Sequence, residues 1–207
     1  MKTRPTVTYY INMDLANWGT VEIQRETLRL TGNGGGFGTG AWKLAAGAIL
    51  QLEAGYTFQP GATFDGPGRV RIVGGIVNMD SSNLRFGAID LIGGVLGGNS
   101  TVIVTNLTWT DGSMTGGGVT TIPSSGNLEI AGASTKFLGA RQLYNYGSGT
   151  WSGGSLSVGA GTRSGIFNLG TFTVLDDLLY DRNGAFFCRV LQRRAIHQDR
   201  RRRHKLV

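Results

Sequence analysis

Leu107–Ile130 reads LTWTDGSMTGGGVTTIPSSGNLEI. It carries an aromatic residue (Trp109), a glycine turn (Gly116–Gly118) and an alternating stretch with Val119 and Ile122 apolar. A turn of small residues (Ser124–Gly126) follows, then a second alternating stretch with Leu128 and Ile130 apolar. Apolar residues at period two mark a half-buried strand, because successive side chains point to opposite faces. Strands this short are not stable alone. A unit of this kind buries its apolar positions by stacking on a similar unit.

Related successions lie on both sides. Phe58, Gly66–Gly68, Val70 and Ile72, Gly74–Gly75, then Val77 and Met79 repeat the layout most fully, and 35–52 and 151–174 repeat it in part. NWGTVEI (Asn17–Ile23) and NLGTFTV (Asn168–Val174) share Asn, a large apolar residue, Gly, Thr and two alternating apolar positions. Gly-x-Gly turns at 38–40, 66–68, 116–118 and 159–161 are separated by 28, 50 and 43 residues, and Trp109 and Trp151 by 42. This loose period predicts stacked coils with loop insertions. The short element Gly-x-apolar-x-apolar is near chance in so glycine-rich a chain, so the ordered succession carries the argument. Gln51, Asn78, Glu129 and Thr173 take the outward positions of the second strand. The prediction is an all-β chain, a right-handed parallel β-helix (β-solenoid) over residues 1–181, with an irregular or helical basic tail over 182–207. The rival is an antiparallel sandwich or barrel, also built from short strands and glycine turns.

The pattern Leu-Thr-Trp-Thr-x-Gly-x-Met-x-Gly-x-Gly…Leu-x-Ile, with Asn-x-Gly-Thr-Phe-Thr-Val, resembles the Gly-rich repeats of large bacterial surface proteins of the autotransporter and filamentous-haemagglutinin kind. The resemblance covers roughly Asn17 to Asp177 as a repeat style. It implies a structural or adhesive segment of a secreted or cell-surface bacterial protein. Its partners would be neighbouring repeats of a longer chain and host or cell-surface glycans. The chain as given has no signal peptide and no recognisable anchoring barrel, as expected for a fragment of a longer gene.

Composition agrees with short strands. Gly makes up 35 of 207 residues, and so many glycines disfavour long helices. The net charge of +7 is not spread evenly. Residues 1–181 hold 11 Lys and Arg against 12 acids, and residues 182–207 hold 9 against one, Asp199. The body is therefore not a basic nucleic-acid-tracking domain. The tail is open to three readings: a solvated basic end, an out-of-frame or chimeric end, or an anion-binding arm in which Arg200, Arg201, Arg202 and Arg203 engage nucleic acid, heparin-like glycans or anionic lipid. The single cysteine, Cys188, forbids an internal disulfide. No apolar run reaches membrane-spanning length.

Chemical signatures are sparse. Gly34–Gly40 (GGGFGTG) lacks the Gly-Lys-Ser/Thr ending of a phosphate loop. No Asp follows Gly-Gly-x-Gly-x as a calcium β-roll requires. His197, His204 and Cys188 all fall in the tail, which disfavours zinc sites and Ser-His-Asp catalysis. No cofactor is expected, and the chain is read as a non-enzyme. The alternatives are a polysaccharide lyase or hydrolase and a glycan-binding module. The first needs two carboxylates placed together, from among Asp65, Asp80, Asp90, Asp111, Glu129, Asp176 and Asp177, which fall at different points of the repeat. The second would use Trp42, Trp109 and Trp151, with Tyr144 and Tyr146, as a sugar-stacking platform; the competing reading places the three tryptophans in the core.

Overall fold

The computed structural model describes residues 7–32, 35–82, 84–159 and 164–175, together with the backbone of 191–192. Among these residues there is no helix, and hence none long and apolar enough to cross a membrane. Every strand pairing is parallel. The chain winds as a three-faced β-solenoid.

The first face sets the pitch. Its strands begin at Thr8, Thr27, Ile49, Arg69, Ala88, Asn106, Asn127, Ser148 and Thr171, each in register with the next. These nine strands bound eight turns. Successive steps run from 18 to 23 residues. The second face aligns Gly36, Tyr56, Val77, Leu96, Met114, Leu138 and Val158. The third aligns Val21, Trp42 and Phe64, and further along Leu84, Val102, Thr120, Leu143 and Ile166. Leu84–Gly97 and Thr101–Met114 are continuous strands that bend around all three faces.

Inward columns make the core. On the first face Leu50, Val70, Ile89, Leu107 and Leu128 follow one another, and beside them Leu52, Ile72, Leu91, Trp109 and Ile130; all are buried. Apolar burial contributes about 25 cal/mol per Å², and the stacking makes this core continuous from coil to coil. Near the N-terminal end it is aromatic. Trp42 stacks on Phe64 at 6.2 Å and meets Tyr56 and Phe58 edge-on. Further on, Gly149 replaces the large residue of its column, and the Phe172 ring fills the space. A Cβ on Gly149 would lie 2.4 Å from that ring.

This geometry corrects the copy boundaries read from sequence. Leu107–Ile130 is one full circuit, from the first face back to the first face. The similar run 58–79 begins and ends on the second face. NWGTVEI lies on the third face and NLGTFTV on the first. Each face is the same strand-and-corner module, so sequence similarity does not report which face a copy occupies. The 42 residues between Trp109 and Trp151 are two coils, with Ile130 between them in one column. The body boundary placed at residue 181 lies outside the described residues. Only the backbone of Leu191–Gln192 is described beyond it, paired parallel to Phe167 and Asn168.

Candidate functional site

Among the described residues the interior holds two buried cations, and both donate to backbone carbonyls. Arg141 follows Ala140, which sits in the left-handed region at φ 59°. From that corner its guanidinium donates to Thr120 Oγ1 (2.8 Å) and to the carbonyls of Gly97 (3.3 Å), Gly98 (3.0 Å), Thr115 (3.2 Å) and Ser100 (3.4 Å). Burial pulls its pKa down to about 10, partly opposed by Asp80. Lys136 Nζ donates to the carbonyls of Gly132 (3.2 Å), Ser134 (2.9 Å) and Gly153 (3.3 Å), one for each of its protons. Burial lowers its pKa, and Asp111 opposes the shift. Asn145 donates to Asn168 Oδ1 at 2.8 Å, starting an amide ladder at the corner that leads to the first face. All four side chains take part in bonds that tie neighbouring coils together.

The outward column of the first face reads Tyr10, Arg29, Gln51, Arg71, Asp90, Thr108, Glu129, Thr150 and Thr173. Its first half is an ion network. Arg29 pairs with Glu53 and lies over the Tyr10 ring at 4.9 Å. Asp90 pairs with Arg69 and, at 3.3 Å, with Arg71. The second half carries three threonines and Glu129, flanked by the exposed column Asn106, Asn127, Ser148 and Thr171.

Two candidate carboxylates therefore share a column, which their places in the sequence did not suggest. Asp90 and Glu129 lie two strands apart, with Thr108 between them. That separation is about 10 Å, at the outer limit of what two-carboxylate hydrolysis uses. Both Asp90 oxygens are already engaged by arginines. Asp65 lies on the third face, while Asp80 and Asp111 accept from the backbone N–H groups of Asn99 (3.1 Å) and Gly112 (2.6 Å). Asp176 and Asp177 lie outside the described residues. Among the described residues no group of His, Cys, Asp and Glu is placed to hold a metal.

The tryptophans do not form an exposed row. Trp42 is buried on the third face and Trp109 on the first. Trp151 is half-buried two strands beyond Trp109, and its Nε1 donates to Gly153 O at 3.1 Å. Aromatics outside the core meet elsewhere: Trp18 touches Phe37 edge-on at 5.8 Å, and Tyr144, Tyr146 and Phe167 form a stacked group. The Tyr144 ring stacks on Phe167 at 4.6 Å and on Tyr146 at 6.3 Å. Phe167 was missed in the sequence because its proximity depends on the coil register. Arg141 and Lys136 were missed too; their only sequence signal is a lone cation among small corner residues, Gly139-Ala140-Arg141 and Ser134-Thr135-Lys136. Arg200, Arg201, Arg202 and Arg203 lie outside the described residues.

No family model, curated protein or solved structure matches the chain.

Proposed function

We propose that the chain is a structural and adhesive β-solenoid segment of a secreted or cell-surface bacterial protein, acting by stacking rather than by catalysis. The observation that carries this reading is where the buried polar groups go. Arg141 and Lys136 bond to backbone across coils, and Asn145 bonds across to Asn168, which in turn holds its own corner through Gly170; this rigidifies the stack without poising a reactive group. The first coil adds support for neighbouring repeats as partners. Tyr9 stands in the inward column next to Leu28, yet is 58% exposed, and among the described residues no strand pairs with the other side of its strand. An inward aromatic beside an unpaired edge favours a further coil. The location is tested by protease treatment of intact producing cells, followed by immunodetection of the chain. Digestion without lysis is expected. Protection until the cells are broken would overturn the surface assignment.

A further inference from the structure

We propose that the corner between the third and first faces, at the last coils, binds an uncharged glycan. One wall is aromatic: Tyr144, with Tyr146 and Phe167 stacked on it at interplanar angles of 15° and 13°, and Tyr146 44% exposed. The other wall is the column Asn127, Ser148 and Thr171, all exposed and in register, with Ser148 Oγ 3.0 Å from Asn127 Oδ1. The chain turns from one wall to the other at Tyr146-Gly147, between the strands Gln142–Asn145 and Ser148–Trp151.

The two walls have complementary chemistry. Tyr144 lies stacked against the other two rings, so the apolar face offered to the C–H groups of a sugar is that of the exposed Tyr146. Short amide and hydroxyl side chains supply the few placed polar contacts that fix orientation. They repeat every strand, about 4.8 Å, so neighbouring hydroxyl and amide groups can engage one sugar seated against Tyr146. None of the six side chains is a carboxylate, lysine or arginine, and with no cation among them to pair an anion the corner suits an uncharged ligand.

The inference deepens the adhesive part of the proposed function and rests on that reading for the source of the glycan. The test is native electrophoresis of the whole chain in gels cast with laminarin, xylan, galactomannan or hydroxyethylcellulose, with heparin as the charged control. Retardation is expected in at least one neutral gel. Tyr146→Ala weakens it by about tenfold, as expected for losing one well-packed ring, and Tyr146→Phe retains it. Thr171→Arg, which obstructs the polar wall without touching the rings, also weakens it. Circular dichroism confirms that each variant is folded. The proposal is overturned by no retardation in any neutral gel, by retardation in heparin alone, or by retardation that both Tyr146→Ala and Thr171→Arg leave unchanged. Failure here leaves surface location standing, and an intracellular location leaves a measured glycan contact standing.

Discussion

The Arg141 guanidinium donates to the carbonyl of Gly98 at 3.0 Å, across two coil boundaries. Gln142 pairs with Val119, and Val119 with Thr101, so the side chain starts in one coil, passes the next and ends in the one beyond. This single residue holds three layers in register. Replacing it by Met removes donors from four buried or half-buried carbonyls and from Thr120. The expected loss is about 3 kcal/mol, read from the midpoint and slope of a urea transition. Arg141→Lys is expected to recover little, because a point-like ammonium lacks the planar fork that reaches several acceptors.

Gly118 makes the passage possible. A Cβ there would lie 2.4 Å from the Ser100 carbonyl and 2.9 Å from Arg141 Nη1. Gly118→Ala is expected to cost about 2 kcal/mol through overpacking. Combined with Arg141→Met the two losses fall short of additivity by more than about 0.5 kcal/mol, because the arginine part of the clash is gone. Gly19→Ala is the control: nothing lies within 4 Å of its added Cβ, and its effect stays within about 0.5 kcal/mol.

Tyr56 gives a pH signature. It is buried, its hydroxyl lacks a well-formed hydrogen bond, and burial raises its pKa to about 12, partly offset by the Asn17 backbone beside it. The native state therefore keeps the phenol proton at pH values where the unfolded chain, titrating near its ordinary 10, has lost it. Stability is full below pH 10 and falls between 10 and 12, by about 1.4 kcal/mol per pH unit from this group. Arg141, whose pKa is lowered, contributes with the opposite sign from about 10 upward. The difference between Tyr56→Phe and the parent isolates Tyr56. The variant is expected to be no less stable at pH 7 and progressively more stable than the parent above pH 10, as measured by chemical denaturation across that range.

Trp109 and Trp18 separate core from surface aromatics. Trp109 is fully buried and its Nε1 donates to Gly112 O at 3.3 Å. Trp109→Ala is expected to cost about 3–5 kcal/mol. Trp18 is 66% exposed and touches Phe37 edge-on; its alanine variant costs less than about 1 kcal/mol. Thermal melts of the two variants give the ordering directly.

Side-chain alternation was legible without coordinates. Val21 and Ile23 point inward and Thr20 and Glu22 outward, and Gln51, Glu129 and Thr173 do share one outward column. The pitch was not legible, because glycine corners mark any of the three corners of a coil. Gly38–Gly40 and Gly116–Gly118 turn from the second face to the third, while Gly66–Gly68 turns from the third to the first. Spacings between them therefore mix whole coils with fractions of one. Side-chain partnerships across coils, such as Tyr144 with Phe167 or Asp90 with Arg69, depend on that pitch and were hidden with it. Asn17 and Asn168 show the converse. They head similar motifs on different faces, and each Asn bonds the glycine two residues on in its own sense: Asn17 Oδ1 accepts from Gly19 N at 3.1 Å, and Asn168 Nδ2 donates to Gly170 O at 3.0 Å.

The central claim is the stacked column of the first face, and spin-label distances along it test that most directly. With Cys188→Ser as background, Thr27→Cys is paired in turn with Asn106→Cys, Asn127→Cys, Ser148→Cys and Thr171→Cys, which stand four, five, six and seven strands away. A parallel solenoid predicts separations rising linearly by about 4.8 Å per strand, from about 19 Å to about 34 Å. Distances that do not rise in this order, as in an antiparallel sandwich, would contradict it.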